Sequence, residues 1–113
     1  MTKYIVHQIQ ISDAEADLIN SRTTLPKYET KLDLMMPGHQ DHAMIAKHAM
    51  LDGYYTEAGN IEADGLEGAF MKGQTDEFNR TSINACSVST GDLIVDTTDD
   101  AIYVVKSWGF EAL

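Results

Sequence analysis

The sequence predicts an α+β domain: one mainly antiparallel sheet of about four or five strands, with about four helices packed on it. Three observations lead there. The end of the chain alternates side chains with a period of two and is rich in β-branched and aromatic residues, as strands are. The middle places apolar residues at spacings of three and four, as amphipathic helices do. In order, the elements read β-α-α-α-β-α-β-β-β, the sequence of an α+β domain. A length of 113 residues makes this a single domain spanning 1–113.

Lys3 to Ile11 reads as the first strand. Ile5, Ile9 and Ile11 share a face with His7, and Tyr4, Val6, Gln8 and Gln10 form the other. His7 thus falls on the more apolar face, where a histidine is expected to be structural. Ser12-Asp-Ala-Glu15 is a capping box, opening a helix that runs to about Asn20 with Leu18 and Ile19 inward. Pro26 opens a second helix to about Met36. Its stripe is Leu25, Tyr28, Leu32 and Met35, and Pro37-Gly38 stops it.

A third helix covers the His39–Leu51 region and ends at Gly53. Met44, Ile45, Ala49, Met50 and Leu51 spread around much of it, so burial on more than one side is expected, including against a second subunit. Tyr54 to Glu62 is the next strand, weakened by Gly59. Asp64, with Glu67 three residues on, is the expected cap of a short helix lined by Leu66, Ala69 and Phe70 and stopped by Gly73. Gln74 to Ser82 reads as a polar loop, and Ile83 to Val88 as a short strand.

The clearest element comes last. Leu93-Ile-Val95 and Ala101-Ile-Tyr-Val-Val105 form a hairpin around the polar connection Thr97–Asp100. Both of its faces are apolar, which places it in a sheet covered on two sides. Ser89-Thr-Gly-Asp92 is the turn before it, with Gly91 free to take positive φ. Trp108, Gly109 and Phe110 close the chain, and both rings are expected to lose water on folding. If the Trp108-Gly109-Phe110 tip were instead exposed, it would read as a partner surface.

Charge is lopsided: 18 acidic against 8 basic residues give −10. Residues 37–113 hold 13 acids against 4 bases, a net −9, whereas residues 1–36 carry 5 against 4. Direct binding of nucleic acid or an anionic membrane is therefore not expected, since both need basic patches. The acids read as a solubilising surface, as in proteins from salty water, or else as a mimic of nucleic-acid phosphates. No apolar run reaches the roughly 20 residues of a membrane span, and no signal peptide is visible. A cytoplasmic address follows.

Chemistry-bearing residues are sparse. His39, Asp41, His42 and His48 are metal-ligand types. His39 and His42 lie about 60° apart on a helix, but His48 is about 120° further round and about 9 Å along. The helix thus offers two ligands, His39 and His42, and no metal or other cofactor is expected. The single Cys86 cannot form an internal disulfide and reads as a core residue beside a strand. Ser87, Ser89 and Asp92 are turn-formers before they are nucleophile or base.

The pattern Ser87-x-Ser89-x-Gly91-Asp92-x-Ile94, then Tyr103-x-Val105, then Gly109-Phe110-x-x-Leu113, resembles the end of small bacteriophage and mobile-element proteins. A second match covers Tyr55-Thr56 and Ile61-x-Ala63-Asp64-x-Leu66-x-x-x-Phe70. That family carries no assigned activity, so the resemblance implies a genomic setting, and a host cytoplasm, without a chemistry. Three function classes stay open. One is a non-catalytic accessory protein that binds a protein partner or self-associates as a homo-oligomer. The others are an acidic decoy of a DNA-binding protein, and an enzyme or small-ligand binder.

Overall fold

β1 (Thr2–Ile9) is a central strand of the sheet. The structure, a computed structural model, describes residues 1–35 and 41–113. After β1 come α1 (Asp13–Asn20), α2 (Pro26–Met35), α3 (His42–Leu51), β2 (Tyr55–Ala63) and α4 (Leu66–Lys72). They are followed by β3 (Asn79–Arg80), β4 (Leu93–Asp96), β5 (Ala101–Val105) and β6 (Phe110–Ala112). Every pairing is antiparallel, and the order is β3-β2-β1-β4-β5-β6. The α+β class stands, with six strands among the described residues rather than four or five.

The expected hairpin is present, with Leu93 opposite Val104 and Asp96 opposite Ala101. Its two faces feed two cores. On one side Ile94 and Val105 join Tyr4, Val6 and Ile61, under Ala69 of α4 together with Phe78 and Val88. On the other, Leu93 and Val104 join Ile9, beneath Leu34 of α2 and Ala46 and Ala49 of α3. The hairpin is thus covered on both sides, as its apolar faces require. Ile94 is fully buried, and Ile94→Ala would cost about 2–5 kcal/mol.

The faces of β1 are ranked opposite to expectation. Tyr4, Val6, Gln8 and Gln10 are the buried set, while Ile5, His7 and Ile11 are half-buried. Polar character did not decide depth, because the segment 82–92 lies over the glutamines and supplies hydrogen-bond partners. The isoleucine face is covered only near Ile9. His7 on that face borders a shallow cavity of about 190 Å³, lined also by Met50, Tyr55, Leu93, Val95 and Ile102.

Local signals hold at some helix ends and fail at others. The Ser12 capping box forms as expected: Glu15 N donates to Ser12 Oγ at 3.2 Å, and Ser12 N donates to Glu15 Oε1 at 3.0 Å. Lys27 of α2 adds an ion pair to Glu15 at 3.2 Å. Leu18 does not turn inward; it is 45% exposed. In α2 the buried residue is Leu34, while Leu32 and Met35 of the expected stripe are exposed. Leu34 is drawn in by Leu93 and Val104, a sheet contact that helical spacing alone does not encode. In α4 the cap is Gly65, without a side-chain hydrogen bond, instead of Asp64.

Ile83 to Val88 forms no strand. Its backbone is held instead by Gln8 and by Gly73, whose carbonyl accepts from Val88 N at 3.1 Å. Ile83 is almost fully exposed, so the apolar pattern there was misleading. Cys86 is exposed for the same reason, and its place is on a surface loop rather than in the core. β3 arises within the expected polar loop, and β6 pairs with β5 through Phe110 opposite Val105. Pro37, Gly38 and His39 lie outside the described residues, as does the expected end of α2 at Met36. Among the described residues, no helix is long and apolar enough to cross a membrane.

Candidate functional site

Two places gather the residues that the sequence singles out: the turn ahead of β4 and the tip after β5. The turn is built around Asp92, which is buried at 5% exposure. Asp92 Oδ2 accepts from Ser89 N at 2.8 Å and from Gln8 Nε2 at 3.0 Å. Gly91 N donates to Val105 O at 2.8 Å, and Val105 N donates to Asp92 O at 2.9 Å. Gly91 takes φ +94°, and Tyr55 Oη donates to its carbonyl at 2.6 Å. Ser89 contributes its backbone, while Ser87 Oγ is within 3.4 Å of Arg80 Nη2 on the surface.

Burial pushes the Asp92 carboxyl up to about 6. The Ser89 backbone, Gln8 and the Lys31 ammonium pull it back down. Burial also raises Tyr55, with the charge of Asp92 acting in the same direction. Such a carboxyl is tuned as a general acid or base would be. Access is what it lacks. The cavity beside it, bounded by Lys31, Leu34, Ser89 and Thr90, is about 10 Å³, room for about one water. The Asp92 cluster is therefore a structural knot between β1, β2 and β4.

The tip is different in kind. Lys106 N donates to Gly109 O at 3.0 Å, closing a turn, and Gly109 adopts φ +81°. That turn throws Trp108 outward, so the ring is 94% exposed, against the expectation that it would lose water. Phe110 turns back and meets Phe70 of α4 edge-on, with ring centroids 6.4 Å apart. Between the tip and α4 lies an open cleft of about 330 Å³, lined by Glu67, Phe70, Met71, Lys106, Trp108 and Phe110. Met71 is 70% exposed on its rim. Lys106 is held by Glu111 at 3.2 Å.

An exposed tryptophan beside an exposed methionine and a small-molecule-sized cleft is the composition of a docking surface. Sequence reasoning brought Trp108 and Phe110 to this place. It missed Glu67 and Met71, because Glu67 read as a capping residue and Met71 fell outside the inner stripe of its helix.

His42 is buried in the first turn of α3 and His48 is exposed in its last turn. Asp41 is the helix cap, with Oδ1 accepting from Met44 N at 3.2 Å, and His39 lies outside the described residues. Among the described residues, no three of His, Cys, Asp and Glu converge as a metal ion would need. Comparison with protein-family models, with curated proteins and with solved structures gives no match to this chain.

Proposed function

We propose that this chain is a small accessory protein without catalysis of its own, which acts by docking a protein partner in the cleft beneath Trp108. The observation that carries this reading is the 94% exposure of Trp108 on a turn closed by the hydrogen bond from Lys106 N to Gly109 O. Leaving so large an apolar ring in water forgoes about 1.5–3 kcal/mol of burial, which partner binding recovers. Aromatic and methionine side chains are enriched where proteins meet. The resemblance of the tail to phage and mobile-element proteins points the same way, to a partner in the host cytoplasm.

A photo-crosslinking amino acid at position 108, compared with one at exposed Thr98, tests this in the cells that encode the protein. Discrete adducts from position 108 alone support the reading. Equal or absent adducts at the two positions overturn it.

A second reading, self-association, is favoured by α3. Met44 is 58% exposed and Leu51 is 79% exposed. The ridge they form with His48 has a cleft on each side, one against Tyr54 and Thr30 and one against Leu113. A ridge between grooves is self-complementary across a twofold axis. Light scattering separates the readings: a dimer abolished by Leu51→Asp supports self-association, and a monomer at high concentration removes it.

A further inference from the structure

We propose that the Trp108 cleft receives a cationic side chain, arginine or lysine, presented by a basic segment of the partner. The inference rests on the cleft being the docking surface and names what docks there.

Three rings, Trp108, Phe70 and Phe110, line the cleft. The face of an aromatic ring is negative, and tryptophan attracts a cation best. Glu67 stands in the same cleft and, among the described residues, makes no ion pair. Lys106 also lines it, but its ammonium is taken by Glu111 at 3.2 Å. The local charge left uncompensated is therefore a carboxylate beside aromatic faces. A guanidinium or ammonium satisfies both.

The alternatives fit worse. A wholly apolar segment would cover Glu67 and leave a desolvated carboxylate unpaired, which is costly. A second copy of this chain has only 8 basic residues against 18 acids and is poorly supplied to pair Glu67. An anionic lipid surface is repelled by the net −10. A basic segment is instead drawn in by the field of the whole molecule, which speeds encounter and rewards the charge that Glu67 then pairs.

Trp108 is the only tryptophan, so its emission reports occupancy of the native protein. Three acetylated, amidated peptides of equal length serve as probes: Gly/Arg, Gly/citrulline and Gly/Leu. The arginine peptide should change Trp108 emission saturably, and the citrulline peptide, nearly the same shape without charge, should bind about tenfold or more weakly. Glu67→Gln should weaken the arginine peptide roughly 3- to 10-fold at an unchanged melting temperature. Glu77→Gln, on an exposed acid outside the cleft, should leave it unchanged. Equal losses in the two variants would mean diffuse attraction and would overturn the cation site. Binding of the leucine peptide in preference to arginine overturns it too, yet leaves the docking reading standing. If none of the peptides moves Trp108 emission, both fall.

Discussion

Gln8 Nε2 donates to Asp92 Oδ2 at 3.0 Å, across a sequence separation of 84 residues. The same amide pairs with Cys86 in both directions: it donates to Cys86 O at 2.8 Å and accepts from Cys86 N at 3.0 Å. One side chain near the end of β1 thereby stands in for a strand, satisfying the backbone of a segment that does not join the sheet. A buried glutamine is tolerated here because its carbonyl oxygen and its amide nitrogen both have partners.

Asp92 should give the protein a stability that falls as pH rises. Its folded pKa, about 6, lies above the value of about 4 that an unfolded aspartate has. The folded state therefore binds the proton more tightly, and the stabilising contribution is fully present below about pH 4. It declines between about pH 4 and 6 and is flat beyond, a change of about 2–3 kcal/mol. His7, lowered by burial, contributes in the opposite sense: its share is present above its unfolded value and lost as pH falls. Asp92→Asn fixes the neutral form and leaves His7 alone. Urea midpoints of the two proteins measured across that range should diverge in favour of the variant as pH rises. Parallel curves would show that Asp92 does not titrate in this window.

Gly91→Ala should destabilise by about 2–4 kcal/mol. The position holds φ +94°, and an added Cβ would stand 2.8 Å from Leu34 Cβ. Both strain and overpacking follow. In a Leu34→Gly background, which removes the Cβ that makes the contact, the steric part disappears and the backbone part remains, so the cost of Gly91→Ala should shrink by about half. Thermal melts of the four proteins measure it. An additive cycle would place the whole cost in the backbone.

Much of the fold was legible because it is written locally. The Ser12 box, the period of two in β4 and β5, and Gly91 at a turn each need only a few neighbouring residues. What was not legible depends on distant ones. Gln8 and Gln10 look like an outward face until the 82–92 segment is laid over them. Leu34 is hidden among the residues of α2 until Leu93 and Val104 select it. Ile83 to Val88 has the composition of a strand, but a sheet edge never comes to meet it. The candidate site divides in the same way. Trp108 and Phe110 stand out as large residues, yet nothing in their spacing tells that one is covered and the other bare. Glu67 becomes notable only when α4 faces the tip across a cleft.

Ser12→Ala should cost about 1 kcal/mol. The hydroxyl that accepts from Glu15 N is lost, and Glu15 is left with the Ser12 backbone and Lys27. Those bonds hold Glu15 below the usual carboxylate range, the Ser12 backbone most of all. Its share of stability is present above that range and fades as pH falls through it. Chemical denaturation at neutral pH gives the size of the effect. A change near zero would mean that α1 adds little to the cooperative unit, in keeping with its outward Leu18.

Trp108 and Phe110, two residues apart, should behave oppositely. Trp108 is 94% exposed, so Trp108→Ala should change stability by no more than about 0.5 kcal/mol. Its emission in the native protein should be that of a solvated indole and should shift little on unfolding. Phe110 is partly buried, packs on the core under α4 and holds β6 opposite Val105. A fully buried phenylalanine costs about 3–5 kcal/mol on truncation, so Phe110→Ala should cost somewhat less, about 2–3 kcal/mol. Removing residues 107–113 must then act through Phe110 and the lost edge strand, and the loss should match Phe110→Ala more nearly than Trp108→Ala. Paired denaturant melts and tryptophan spectra settle the matter. A blue-shifted native emission, or a Trp108→Ala variant as unstable as Phe110→Ala, would put the ring back in the core and close the cleft as a docking surface.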